Sequence, residues 1–271
     1  MNKEKASKMV RIALASIIFL SLSASYSMAE KQLKTFKQKV GKSITKIKLN
    51  GLDGKLEIIG SDNRELIIQT THSFEVPKKA AGLKSMSYTD EDNTSLGLFT
   101  NIKESILVIK PASQYASRAE YKIIVPKGLV LEILETKTFS ESLIVSNTQN
   151  ELIIKRKGDK LIKNNNGAIT IDSTGGGVEI IFERQAPKYP ISVKTKFSDI
   201  DISLPSKSKF DLEAKTYWKD IYTNFEYEQM NLPNKEEHGQ KHIKAKVNGG
   251  GVKLLLLDSG GDIYIRKSDV K

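Results

Sequence analysis

Residues 151–181 read ELIIKRKGDKLIKNNNGAITIDSTGGGVEII, and this stretch decides the fold. Short apolar runs alternate with polar residues at period two: Glu151-Leu152-Ile153-Ile154-Lys155, Ala168-Ile169-Thr170-Ile171-Asp172 and Val178-Glu179-Ile180-Ile181. β-branched residues at that period mark half-buried strands. Between them lie Lys157-Gly158-Asp159, Asn164-Asn165-Asn166-Gly167 and Thr174-Gly175-Gly176-Gly177. Glycine supplies positive φ, and Asn, Asp and Ser bond their own backbone, so these are tight turns.

The rhythm extends outward. The first core aliphatics are Leu131, Leu143, Leu152, Leu161, Ile169 and Val178, spaced 12, 9, 9, 8 and 9 residues apart. Upstream, Thr45–Leu49, Lys55–Ile59, Glu65–Gln69 and Tyr121–Val125 alternate in the same way. Each interval holds one strand and one turn. That spacing fits a sandwich of hairpins or a β-solenoid whose strands stack in parallel. A recurring corner phrase favours the solenoid. A small or Asx residue precedes Gly or Asp, followed by aliphatic-x-aliphatic. It occurs at Asp53-Gly54, Asn166-Gly167, Ser198-Asp199, Lys219-Asp220 and Gly261-Asp262. Stacked corners give equivalent positions a reason to repeat, and sandwich turns lack one. The expected fold is therefore all-β: a single-stranded, parallel β-helix-like solenoid of short strands. Its structural corners include Asn166, Gly167, Gly175, Gly176, Gly177, Asn248, Gly249, Gly250, Gly251, Gly260, Gly261 and Asp262. Two polar insertions, near 76–119 and 226–240, break the rhythm. Only Glu226–Met230 has a helical period, and 106–109 is the one clear strand of the first insertion.

The N-terminus reads as a cleaved signal helix over 1–29. Lys3, Lys5, Lys8 and Arg11 precede the apolar run Ile12–Ala24, and Ser27-Met28-Ala29 places small residues before a cut at Glu30. The apolar run falls short of the roughly 20 residues a spanning helix needs, and no later stretch reaches that length. The expected product is one domain, 30–271, periplasmic or secreted and cell-surface associated, with no transmembrane segment. The chain has no cysteine, so disulfides, thiolate metal sites and a lipid anchor on cysteine are excluded. The net charge is +11, of which the leader holds +3 through four cations and Glu4. The lysines are spread about one per strand, as on solvated faces that keep strand edges apart. There is no arginine cluster and no nucleic-acid reading motif, so no nucleic-acid partner is expected.

The corner phrases, together with Val125-Pro126-Lys127-Gly128, Asp199–Pro205, Phe210–Thr216, Asn248–Gly251 and Asp258–Lys267, have a familiar sum. The chain from about Ile44 to Lys267 resembles the DUF4097-type adhesin-like β-strand-repeat family of exported bacterial proteins, related to head-GIN-domain proteins. The resemblance implies a right-handed parallel β-helix-like solenoid and says little about activity. This chain departs at Tyr217-Trp218-Lys219, where the family pattern has a glycine corner.

Candidate chemistry is sparse. His238 and His242 are four apart beside Glu236 and Glu237, but Gly239 and Pro233 make a loop the better reading than a zinc helix. The triple glycines lack the aspartates of a calcium β-roll. Asp199 and Asp201 share a strand face, as a glycosidase pair would, yet a solvent face with Ile200 and Ile202 buried is simpler. No nucleophile elbow or phosphate loop is present. No catalytic residue, metal or cofactor is expected. Tyr217, Trp218, Tyr222, Phe225 and Tyr227 crowd into eleven residues and are the candidate contact surface. The function expected is a non-enzymatic, adhesin-like or cell-envelope interaction module, with a cell-surface glycan or envelope protein as partner. A polysaccharide-binding or polysaccharide-active β-helix protein and an envelope-stress accessory are the alternatives.

Overall fold

The computed structural model describes residues 32–74, 78–80, 83, 86, 90–135, 140–230 and 239–269. Residues 1–29, on which the signal-helix expectation falls, and Tyr88, Thr89, Pro233, Glu236, Glu237 and His238 lie outside the described residues. Lys34–Lys271 forms one compact unit. It is nearly all β, with 21 strands among the described residues in two large mixed sheets.

The chain alternates between the sheets. A strand of the eleven-stranded sheet turns a corner into a strand of the ten-stranded sheet, and each such pair forms one rung. In spatial order the rungs begin with β6 (Ile106–Pro111) and β7 (Tyr121–Pro126), then β2 (Lys46–Asn50) and β3 (Leu56–Ser61). Next come β8 (Val130–Leu134) with β9 (Leu143–Ser146), and β10 (Glu151–Lys155) with β11 (Lys160–Lys163). They are followed by β12 (Ile169–Asp172) with β13 (Val178–Ile181), and β14 (Ile191–Lys194) with β15 (Ile200–Leu204). The order ends with β20 (Val252–Leu257) and β21 (Ile263–Lys267), then β16 (Phe210–Tyr217) and β17 (Ile221–Thr223). Neighbouring rungs pair in parallel throughout, which accounts for fourteen of the nineteen ladders.

Two rungs sit out of chain order. The β2–β3 rung lies between β6–β7 and β8–β9, and the β20–β21 rung lies between β14–β15 and β16–β17. The five remaining ladders are antiparallel and close the ends, a departure from the all-parallel expectation. β4 (Glu65–Thr70) and β1 (Lys34–Lys39) continue the ten-stranded sheet beyond β7, and β5 (Leu98–Lys103) pairs with β6. At the other end β19 (Gln240–Val247) pairs with β16, and β18 (Tyr227–Gln229) pairs with β19. β17 is the last strand of the ten-stranded sheet there. The outermost strands of the two sheets are therefore β1, β17, β18 and β5.

The core is a set of aliphatic rows running across the rungs. Leu107, Ile47, Leu131, Leu152, Ile169, Ile191 and Leu254 form one, in register from rung to rung. Ile58, Val145, Ile162, Ile180, Ile202 and Ile265 form another on the facing sheet. All are buried. Apolar side chains at period two enter these rows, and each fully buried one contributes about 1.5–3 kcal/mol relative to exposure.

One row is broken. Leu161 points outward, half-buried, and Lys160 takes the inward place between Leu143 and Val178. The expected core position at Leu161 is thus displaced by one residue. The Lys160 ammonium survives inside because Gly158 O (2.5 Å), Ser173 Oγ (2.7 Å) and Gly175 O (3.2 Å) accept from it. Arg156 is buried beside it and donates to the carbonyls of Leu52, Asp53, Gly54 and Glu141. Burial, and then the charge of Arg156, lowers Lys160 to about 8; burial lowers Arg156 to about 10 despite the nearby carboxylate of Asp53.

The two insertions are partly structured. The first contributes β5, β6 and the one-turn helix α1 (Gln114–Ser117), capped by Ser113 Oγ. β6 belongs to a rung, so this part is scaffold. In the second, the helical period at Glu226–Met230 gives way to strand β18, because Tyr227, Glu228 and Gln229 find ladder partners in Val247, Lys246 and Ala245.

Candidate functional site

The corners leading into the ten-stranded sheet stack in one row. Backbone bonds link them in sequence: Leu143 N to Asp159 O, Lys160 N to Gly177 O, Val178 N to Asp199 O, Ile200 N to Asp262 O and Ile263 N to Asp220 O. The repeated phrase therefore marks one physical row at Gly54, Ser198-Asp199, Gly261-Asp262 and Lys219-Asp220. Gly167 belongs to the opposite row, where a Cβ would overlap Asn150 O.

Toward the C-terminal end this row becomes a surface. Asp199 Oδ1 accepts from Asp262 N at 2.9 Å, Asp262 Oδ1 from Asp220 N at 2.8 Å, and Asp220 Oδ1 from Ile221 N at 2.9 Å. The carboxylates of Asp199 and Asp262 thus each tie one rung to the next, while Asp220 caps the start of its own strand. Asp199 and Asp201 do not act as a pair. Asp199 is a corner residue, and Asp201, on β15, binds Arg266 Nε at 2.9–3.0 Å.

Two residues before Asp199, Asp262 and Asp220 stand Phe197, Gly260 and Trp218. Phe197 and Trp218 both have left-handed backbones, with φ 59° and 62°, and are 78% and 77% exposed. Each ring lies against a glycine: a Cβ at Gly260 would strike the Phe197 ring, and one at Gly239 the Trp218 ring. Trp218 N donates to Gly239 O at 2.7 Å. Trp218, Lys219, Asp220, Tyr222, Gly239, Lys241 and Asp262 surround an open hollow of about 390 Å³.

Tyr222 stacks on Tyr264 with ring centroids 5.3 Å apart and planes at 14°. The Arg266 guanidinium lies 4.7 Å from the Tyr264 ring centre. Partial desolvation, then the carboxylates of Asp262 and Asp199, raise the Tyr264 hydroxyl above its ordinary value, so it stays protonated.

The structure divides the five aromatic residues. Trp218 and Tyr222 share the hollow. Tyr217 is half-buried along β16, its hydroxyl accepting from Gln240 Nε2 at 2.7 Å. Tyr227 covers an apolar recess with Phe210, Leu212 and Ile243. Phe225 leaves the contact surface altogether: it is buried edge-on against Phe210 at 5.4 Å. Phe197, Tyr264 and Arg266 escaped the sequence reading. Aligning the Asp corner phrases was the available signal, since it puts Phe197 and Trp218 at one position.

The turn glycines lie at or beside the corners. Gly175 and Gly249 have open space, whereas Gly176, Gly251 and Gly261 pack on neighbouring backbone. Gly250 packs on the Asp211 side chain. Asn248 adopts φ 51°, and its amide donates to Ser206 O and Ser208 O. His242 lies on β19 and contacts Glu213 at 3.1 Å, with Lys244 at 3.2 Å from the same oxygen. Among the described residues no group of three or more His, Cys, Asp or Glu is placed to hold a metal, and no helix is long and apolar enough to cross a membrane.

No family model matches the chain, and no curated protein matches it. Two solved structures are similar. A candidate cell adhesion protein from Clostridium sporogenes is 14% identical, with a TM-score of 0.48, covering 87% of this chain and 99% of its own. A candidate adhesin from Bacteroides fragilis is 13% identical, with a TM-score of 0.25, covering 88% of this chain and 98% of its own.

Proposed function

We propose that this protein is an exported, adhesin-like interaction module of the cell envelope. In this reading it is a two-sided parallel solenoid of the DUF4097-type family that works by contact rather than by turnover. The solenoid reading is supported by the crossing from one sheet to the other within each rung and by parallel pairing between neighbouring rungs. Export is supported by the leader at 1–29. The observation that carries the function is the pair Phe197 and Trp218. Two large rings are held in solvent by backbone conformations that disfavour them, at equivalent corners of a rigid wall. Exposed aromatics on a fixed scaffold supply contact area at little entropic cost.

The test is fractionation followed by capture. The full chain, epitope-tagged and expressed in a bacterial host, is expected outside the cytoplasm and shortened by the leader. Recovered protein is expected to be retained by isolated bacterial envelopes, and Phe197→Ala with Trp218→Ala should release it. Retention of the uncut chain in the cytoplasm, or envelope capture no greater than for a bystander protein, would overturn the reading.

A further inference from the structure

We infer that the corner row binds an extended chain of uncharged sugars, with Phe197 and Trp218 as its two stacking platforms. The inference rests on the adhesion reading and deepens it by naming the ligand class.

The first argument is conformational. A left-handed backbone costs an L-residue about 1–2 kcal/mol, and bulky residues there are outliers. The other described non-glycine residues with positive φ are Ser95, Glu104, Asn147, Asn164 and Asn248. Only Phe197 and Trp218 are aromatic, and both fall at the same corner position. Glycine would fit either place without that cost, so the rings answer to something other than the turn.

The second argument is spacing. Phe197 belongs to the β14–β15 rung and Trp218 to the β16–β17 rung, with β20–β21 between them. Two rung steps set their corners about 10 Å apart. That is close to a disaccharide unit of an extended polysaccharide. Gly260 fills the intermediate position and adds no side chain between the rings.

The third argument is charge. Among the described residues around the rings, Lys196, Lys219 and Lys241 are set against Asp199, Asp220 and Asp262, with Asp258 buried under Gly260 and Gly261 and Arg266 paired with Asp201. An anionic polymer gains nothing from a locally neutral strip. Hydroxyl groups gain both donors and acceptors, while sugar C–H faces lie on the rings. Tyr222 and Tyr264 extend the same surface onto the sheet.

Trp218 is the sole tryptophan, so its emission reports on this site alone. Titration with cellohexaose and chitohexaose is expected to shift that emission saturably for at least one of them. The affinity should hold within about twofold between low salt and 0.5 M NaCl, because no ion pairs are broken. The matching disaccharide should bind at least tenfold more weakly. Phe197→Ala should weaken the hexasaccharide at least tenfold, and Phe197→Tyr should restore it, with circular dichroism confirming that both variants fold. No shift with either sugar, a preference for a heparin hexasaccharide, or indifference to Phe197→Ala would overturn the inference. If the sugars fail while envelope capture still requires both rings, adhesion stands and its partner is a protein. If capture ignores both rings as well, the adhesion reading loses its surface too.

Discussion

The corners in the middle of the molecule and those toward its C-terminal end solve one geometric problem differently. At Gly158 and Gly176 the left-handed residue immediately precedes the strand corner and packs on the backbone of the neighbouring rung. No side chain fits there, so glycine is obligatory. At Phe197 and Trp218 the left-handed residue comes one place earlier and faces solvent. Glycine is permitted there but absent. The first arrangement is dictated by stacking. The second is not, and the excess over what stacking requires is where function is read.

Three perturbations test that contrast. The largest effect is expected from Gly176→Ala, which adds left-handed strain and pushes a methyl into Gly158. The loss should be about 3 kcal/mol in urea unfolding. Gly249→Ala, with an open surrounding, should cost only about 1 kcal/mol. Equal costs would break the distinction between packed and open corners.

Next comes the interior cation of the middle corners. Lys160 is lowered to about 8 when folded, against about 10.4 in the unfolded chain. Between those values the unfolded chain binds more protons, so stability rises with pH. The burial penalty is fully present below about pH 8 and is relieved by about pH 10.5, with a span of up to about 3 kcal/mol. Comparing urea midpoints of the unaltered chain and Lys160→Met at pH 7.5, 9 and 10 isolates this group. The unaltered chain should gain on the variant as pH rises, and a pH-independent difference would count against a buried charged amine.

The smallest effect is expected at the exposed rings. Phe197→Gly relieves the left-handed strain and loses little burial, so stability should stay within about 1 kcal/mol or improve. A loss above 2 kcal/mol would make Phe197 a structural residue and remove the contrast.

Much of the architecture could be read from residue order. Alternation located the strands, and the Asp and Gly phrases located the corners, because both follow from local backbone chemistry. Lys160 defeated the alternation: Lys160-Leu161-Ile162-Lys163 offers leucine as the natural inward residue, and only three acceptors from two neighbouring corners make lysine tolerable inside. The rung order was not legible either. Every rung presents similar aliphatics to its neighbours, so no pattern says that β2–β3 or β20–β21 should be interposed. Of the proposed contact surface, aromatic density singles out Trp218 and Tyr222, but also Phe225, which is buried against Phe210. It missed Phe197 and Tyr264, which lie 21 residues before and 46 after Trp218 in the chain.

The interposed β20–β21 rung also sets a schedule. A chain emerging in order makes β14–β15, then β16–β17, before the piece that belongs between them exists. Until it arrives, the two Asp corners have nothing to bridge them, Phe197 has no Gly260 to lean on, and Tyr222 has no Tyr264 to stack against. A protein interrupted before that point would carry both rings but not the floor between them. The surface proposed for the two rings is therefore assembled only once residues 252–267 are in place between them.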